Sequence, residues 1–305
     1  MTAWIESGGK EQRMRRFGDH NPLTVAIYYI AVVTIAMFTM NPVLHLIAFS
    51  GGALQFSIQR VKHKVGTHLL FLVIGLILAL LRPLFSHNGA TVLFVINDNP
   101  ITAQAFIFGI NSAVMVVGVL YLFRVFSIIM TSDRLLYLFG RLSPKTALVM
   151  SMGLRYIPLL KEKSRQIGAA QTAVGINRDD NAIDRLKARM NVFSATVSWG
   201  LENGIITADS MAARGYGSGK RSCFRKFSIT KADIILILIM VMLTGPSIAA
   251  LITGDYDTVF YPHFEMSGLN FVSLAGYVTF AILMLIPVLI DSLESFRWKY
   301  LVSKI

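Results

Sequence analysis

The sequence predicts an all-α integral membrane protein. About six transmembrane helices are expected, with two to three long cytoplasmic coupling helices between spans four and five. Three observations carry this. Of 305 residues, 54% are hydrophobic and only 15% charged, whereas soluble domains carry about 25% charged residues. Mean hydropathy is +0.59. Six apolar runs punctuate the chain, and lysine and arginine fall in alternate loops between them.

The runs are 23–40, 43–58, 68–85, 105–130, 234–252 and 269–290. A helix crosses the hydrocarbon core with roughly 20 apolar residues, about 17 to 25 being tolerated. Five runs meet or nearly meet that length. The second is short, and Gly51-Gly52 interrupts it. Less tilt, packing against neighbours and a kink at the glycines are the alternatives there. The polar first 21 residues do not read as a cleavable signal, because the run that follows is long enough to span. The single cysteine, Cys223, excludes an intrachain disulfide and any cysteine-rich metal site.

Positive charge marks the cytoplasmic side. Lys10, Arg13, Arg15 and Arg16 precede the first run, and Arg60, Lys62 and Lys64 follow the second. Residues 131–231 hold 17 Lys and Arg against 7 Asp and Glu, ten of the chain's net +12 charges. Arg297, Lys299 and Lys304 follow the sixth run, and the alternate loops hold almost none. A multi-pass protein with both termini cytoplasmic satisfies every loop. The expected organisation is a cytoplasmic N-terminus (1–22), a four-span bundle (23–130), coupling helices (131–231), two further spans (232–290) and a cytoplasmic tail (291–305). The β-branched stretch 91–96, followed by Asn97-Asp98-Asn99-Pro100, reads as a short external strand or re-entrant piece with a turn.

Within the cytoplasmic insert, Asp133 is positioned to cap a short helix over 134–142 that ends near Ser143-Pro144. A longer helix is predicted from about residue 145 to 171. Its apolar face is Leu148, Met152, Tyr156, Leu159, Leu160 and Ile167, and Pro158 should bend it. Residues 177–191 are highly charged and read as a loop plus a helical turn. A third helix follows over 192–214, with apolar residues at Val197, Leu201, Ile205, Ala208 and Ala212. Ser151-Met152-Gly153-Leu154 echoes Ser198-Trp199-Gly200-Leu201, and each helix ends near a glycine, Gly175 or Gly215. Two helices of one plan would bring two ends together on the cytoplasmic surface.

The stretch Ala212-Ala213-Arg214-Gly215-Tyr216-Gly217-Ser218-Gly219-Lys220-Arg221-Ser222 invites a phosphate-loop reading, and the spacing rejects it. A P-loop needs four residues between its glycines, Ser or Thr after the lysine, and a preceding strand. Here three residues separate Gly215 from Gly219, Arg221 follows Lys220, and a helix precedes. What remains is Arg214 in a last helical turn, with Gly215 suited to the left-handed cap position.

Four blocks together resemble a known family: Leu138-Phe139-Gly140-Arg141-Leu142-Ser143-Pro144-Lys145, Leu154-Arg155-Tyr156-Ile157-Pro158-Leu159, Ser198-Trp199-Gly200-Leu201-Glu202-Asn203, and Ala208-Asp209-Ser210-Met211-Ala212-Ala213-Arg214-Gly215-Tyr216-Gly217. They are similar to the transmembrane T component of energy-coupling factor (ECF) transporters, the CbiQ/EcfT-like family of prokaryotic vitamin and metal-ion uptake systems. The resemblance implies a scaffold in the cell (inner) membrane. Two coupling helices end in Ala-Arg-Gly-type motifs that dock on two ABC-type ATPase subunits, and a separate substrate-binding membrane S subunit is held alongside. It implies no catalytic residue, no metal site and no cofactor on this chain, with ATP and Mg bound by the partners. Carried over, the second docking motif is Ala213, Arg214 and Gly215. The first is Ala173, Val174 and Gly175, where the family usually has arginine in place of Val174. Either Val174 packs by apolar contact, or Arg165 or Arg178 substitutes, or the alignment slips. Arg155, Pro158, Glu202 and Asp209 are the supporting coupling-helix residues.

Two other classes fit less well. An integral membrane enzyme of the phospholipid head-group transferase type needs several carboxylates for two metal ions. Here only Asp209 precedes the arginine, and none follows before Asp233. A self-sufficient carrier places ionisable groups inside its spans, where this chain shows almost none. Nucleic-acid binding is not expected, since no aromatic stripe interleaves with the basic residues. The six histidines show no i, i+4 pairing that would mark a metal site.

Overall fold

The computed structural model describes residues 16–59, 64–85, 89, 91–96, 99–175, 181–216, 218–219, 227–261, 265–266 and 270–302. They form two compact units: one from the chain up to Arg134 together with Phe227 onward, the other from Leu135–Lys226.

In the first unit a 3₁₀ turn (Phe17–Asp19) leads into α1 (Pro22–Phe38), α2 (Pro42–Ile58) and α3 (Lys64–Phe85). The strands β1 (Val92–Ile96) and β2 (Asn99–Thr102) pair antiparallel, and α4 (Ala103–Ile129) follows. After the second unit come α8 (Lys231–Ile252), the two-residue strands β3 (Thr258–Val259) and β4 (Glu265–Met266), and α9 (Phe271–Val302). The helix α5 (Ser132–Leu142) spans the boundary between units, and α6 (Pro144–Ala173) and α7 (Ala182–Ala213) make up most of the second.

Local chemistry sets the helix starts. Asn-Pro opens both α1 and α2: the Asn21 and Asn41 side chains accept the N–H of Leu23 and Val43, with proline in the first turn. Proline tolerates that position because its missing N–H would be unpaired anyway. Thr102 caps α4, and Thr230 forms a capping box with Asp233 at the start of α8.

Four helices, α3, α4, α8 and α9, are long and apolar enough to cross a membrane, while α1 and α2 are apolar helices of 17 residues each. Each coincides with one of the six runs. α9 does not stop at residue 290 but continues to Val302 through Asp291, Glu294 and Arg297. The 91–96 segment is a strand of a hairpin, and the turn expected at Asn97 and Asp98 lies outside the described residues.

Gly51-Gly52 does not break α2. A methyl group at Gly51 would sit 2.9 Å from Cβ of Met284 on α9; one at Gly52 would lie 3.1 Å from Cβ of Tyr121 on α4 and 3.3 Å from the Gly118 carbonyl. Hydrocarbon supplies no hydrophobic drive between helices, so small residues that admit close approach do the packing. Around this seam lie the fully buried Tyr28, Leu44, Phe56, Leu122, Phe280 and Met284.

Two polar clusters inside the bundle are paired, as a medium without water favours. Gln55 accepts from the Tyr29 hydroxyl at 3.2 Å and donates to the Tyr28 oxygen at 2.9 Å and the Met284 carbonyl at 3.1 Å. His45 lies within hydrogen-bond distance of Asn111 Oδ1 and the Thr39 carbonyl, at 2.8 and 3.0 Å. In the α8–α9 loop, burial pushes the Tyr256 hydroxyl up to about 12.

The glycine seam yields a stability prediction. Gly51→Ala should lower the melting temperature of the purified protein in detergent, overpacking of this kind costing typically ~1–3 kcal/mol. Gly66→Ala, at a position with nothing within 4 Å, should leave it unchanged or raise it.

Candidate docking site

The second unit is built on two helices that run antiparallel. The contacts fall in opposite order along the two chains: Tyr156 meets Thr207, Leu160 covers Gly200, the Lys163 ammonium lies 5.3 Å above the Trp199 ring, and Gly168 faces Val192. The Thr207 hydroxyl donates to the Asn203 carbonyl at 2.7 Å, so the 2.9 Å contact with Tyr156 is a bond donated by the tyrosine. That bond fixes the register of the pair.

α6 begins within a residue of expectation, and α7 does not. Ser143 caps α6 through the Thr146 N–H, and the helix runs unbroken through Pro158. Asp133 sits in the first turn of α5 rather than at its cap. α7 starts at Ala182, ten residues before the predicted 192. The segment Ala182-Ile183-Asp184-Arg185-Leu186-Lys187-Ala188-Arg189-Met190 lacks a clean apolar stripe, yet most of its residues are good helix formers and nearly all are exposed. Residues 177–180 of the expected loop lie outside the described residues.

The faces also differ. On α6, Leu148, Met152, Tyr156, Leu160 and Ile167 are part-buried as the periodicity predicts, whereas Leu159 is exposed. On α7 the predicted apolar face is largely uncovered: Leu201 and Ile205 are 67% and 65% exposed. α7 packs on α6 through Val192, Thr196, Gly200 and Thr207, small or polar residues that let the backbones approach. The apolar stripe is left uncovered, which in a folded protein marks an interaction surface. An open groove of about 960 Å³ runs along the pair, with Leu160, Val197 and Leu201 among its apolar walls and the basic Lys161, Arg185 and Arg189 on its lining.

Each helix ends in the same way. At the end of α7, Gly215 takes φ +75°, its N–H bonds to the Ala212 carbonyl, and the Tyr216 N–H reaches back to Met211. These two bonds are a Schellman cap, which needs a residue in the left-handed region. At the end of α6, Gly175 takes φ +78° and its N–H bonds to Thr172. Val174 and Arg214 are therefore equivalent C-cap residues, both exposed, followed at once by a turn of the chain.

The two ends are not together. Arg214 lies seven residues beyond Thr207, which places it beside the start of α6, about 25 residues or roughly 40 Å from Val174 at 1.5 Å per residue. The expectation of adjacent ends fails because the pair is antiparallel. The short echo does not mark equivalent contacts either, since Gly200 lies under Leu160 while Gly153 has nothing within 4 Å. Arg155, Pro158, Glu202 and Asp209 are all exposed on these two helices, and none makes an ion pair among the described residues. The register bond of Tyr156 was not singled out from the sequence, although Tyr156 stood in the predicted apolar face of α6.

Alongside an apolar helical bundle the chain has a long helix pair with two glycine-terminated tips, and relatedness gives the class, a membrane transport subunit. The chain belongs to the CbiQ family of cobalt transport proteins, whose model matches residues 16–223. It is similar to energy-coupling factor transporter transmembrane proteins (EcfT) of several bacteria. The Bacillus selenitireducens protein is 30% identical over 127 residues, 40% of this chain and 47% of the relative. The Lactobacillus helveticus protein is 33% identical over 101 residues, 32% and 36% respectively. The Streptococcus equi protein is 24% identical over 247 residues, 75% of this chain and 89% of the relative. The matched region thus spans less than half of the first two relatives and most of the third.

The caps make a local prediction. Gly215→Ala should place a side chain in the left-handed region at a cost of roughly 1–2 kcal/mol. Amide exchange in the last turn of α7 should quicken about fivefold or more, while Gly219→Ala leaves it unchanged.

Proposed function

We propose that this chain is the membrane scaffold subunit of an ECF-type ABC importer. It couples ATP hydrolysis by two partner ATPases to uptake through a separate substrate-binding membrane subunit. The observation that carries this reading is the pair of exposed, glycine-capped tips at opposite ends of α6 and α7. Tips roughly 40 Å apart cannot share one small socket, and they suit two separate subunits. ATP and Mg belong to those partners, and this chain acts without a cofactor of its own.

The chemistry of the tips fits docking. Arginine keeps its charge and offers five donors in a planar fork, so it can hold a carboxylate bidentately at an interface. Val174, 74% exposed, offers apolar contact instead. The uncovered stripe of Leu201 and Ile205 is the natural seat for the substrate-binding subunit. The basic insert, with ten of the net +12 charges, belongs on the cytoplasmic side of a prokaryotic cell membrane, with both termini. The head-group transferase reading loses ground. Among the described residues no group of three or more carboxylate, histidine or cysteine side chains gathers around the exposed Asp209.

Arg214→Ala should leave membrane insertion intact and release or uncouple one ATPase. Removing one partner of a buried charged pair typically costs ~2–5 kcal/mol, which pull-down of the complex and ATP-driven uptake would both register. Uptake at the wild-type rate would refute docking at this tip. Val174→Arg should be tolerated or strengthen ATPase retention in the same pull-down, and complete loss of assembly would instead place Val174 in an apolar pocket.

A further inference from the structure

We propose that the turn over residues 16–21 is a clamp through which movement of the second unit reaches the membrane bundle, with Arg134 and His20 as positioning residues. The inference rests on the reading that α6 and α7 receive force from ATPases.

The chain leaves the first unit after Arg134 and re-enters it at Phe227. Both points meet on one side chain. The Arg134 guanidinium donates to the Gly18 carbonyl, lies 3.8 Å from the Asp19 carboxylate, and faces the Phe227 ring at 6.0 Å. Burial lowers the Arg134 pKa, and Asp19 opposes that shift.

The same short turn then grips the bundle at four further places. The His20 imidazole bonds to Asp233 Oδ1 at 2.8 Å, and the Asn21 N–H donates to that oxygen at 3.3 Å. The other carboxylate oxygen accepts the Thr230 N–H and hydroxyl, which ties the returning chain to α8. The Phe17 N–H donates to Asp291 Oδ1 on α9 at 2.9 Å, and Gln59, just past α2, donates to Oδ2 at 3.1 Å. Gly18 rests against Ile129 at the end of α4. Phe17 is completely buried and Asp233 is 1% exposed. Carboxylates this deep carry a desolvation cost unless paired, so each fixes its partners firmly. Six backbone residues thereby tie both roots of the second unit to α2, α4, α8 and α9. The turn thus gives movement of those roots a continuous packed and hydrogen-bonded route into the bundle, beside the direct chain connection from Phe227 to α8.

The test uses the full chain co-purified with its ATPases and reconstituted in lipid nanodiscs. With Cys223→Ser as background, spin labels are placed by Phe123→Cys on α4 and Leu238→Cys on α8, both positions being exposed. The label distance is measured with and without Mg-ATP, and ATP turnover is measured in parallel. Arg134→Gln and His20→Gln should each keep turnover within about twofold of wild type, while the ATP-induced distance change falls below about half. A purely structural role would lower both readouts together, leaving their ratio unchanged, and that result overturns the clamp. So does a full distance change in both variants, or failure of both, and of Arg134→Lys, to accumulate in the membrane. If no nucleotide-hydrolysing subunit accompanies even the wild-type chain, the importer reading falls first and the clamp with it.

Discussion

Close backbone approach at glycine is the constraint on which the bundle depends. A helix cannot gain free energy in hydrocarbon by hiding leucine from lipid, because the lipid is as apolar as the leucine. Contact must come from surfaces that fit. Gly51 against Met284, Gly52 against Tyr121 and Gly118 against the Phe49 backbone bring α2, α4 and α9 together. Once they are together, Gln55, Tyr28 and Tyr29 find one another, as do His45 and Asn111. The polar groups then specify a single arrangement, since any slip would strand them without water.

The second unit solves the opposite problem. In α6 and α7 the helices pack through Gly168, Thr196, Gly200 and Thr207, with Leu160 over Gly200, and the large apolar side chains Leu201 and Ile205 of α7 are left exposed. A water-soluble helix pair would bury Leu201 and Ile205 between its members. Turning them out gives up that burial and leaves the pair to be completed by something else. The Tyr156–Thr207 bond and the lysine over Trp199 hold register where hydrophobic burial between the helices is modest.

Much of this was legible in the residues, and the failures have physical causes. Apolar runs located all six bundle helices, because length and composition are what a bilayer demands. The glycine caps were legible because only glycine takes φ near +75° without strain. The early start of α7 was missed because a highly charged, exposed helix carries little periodicity to detect. Periodicity revealed the apolar stripe of α7, not which neighbour covers it. Antiparallel pairing, and with it the separation of the tips, is a tertiary fact that four echoed residues could not convey. The ties of His20, Asp233 and Asp291 link positions more than two hundred residues apart, which no local pattern records.

The glycine caps have one more consequence. Val174 and Arg214 occupy ordinary right-handed backbone, φ −81° and −82°, and it is the following glycine that carries the unusual geometry. Any amino acid but proline can stand at either place without disturbing the turn. Shape and chemistry at these tips are thereby divided between adjacent residues: the glycine holds the form, and its predecessor is free to drift. Selection by a binding surface can rewrite that predecessor, from arginine to valine or back, with the scaffold indifferent to the exchange.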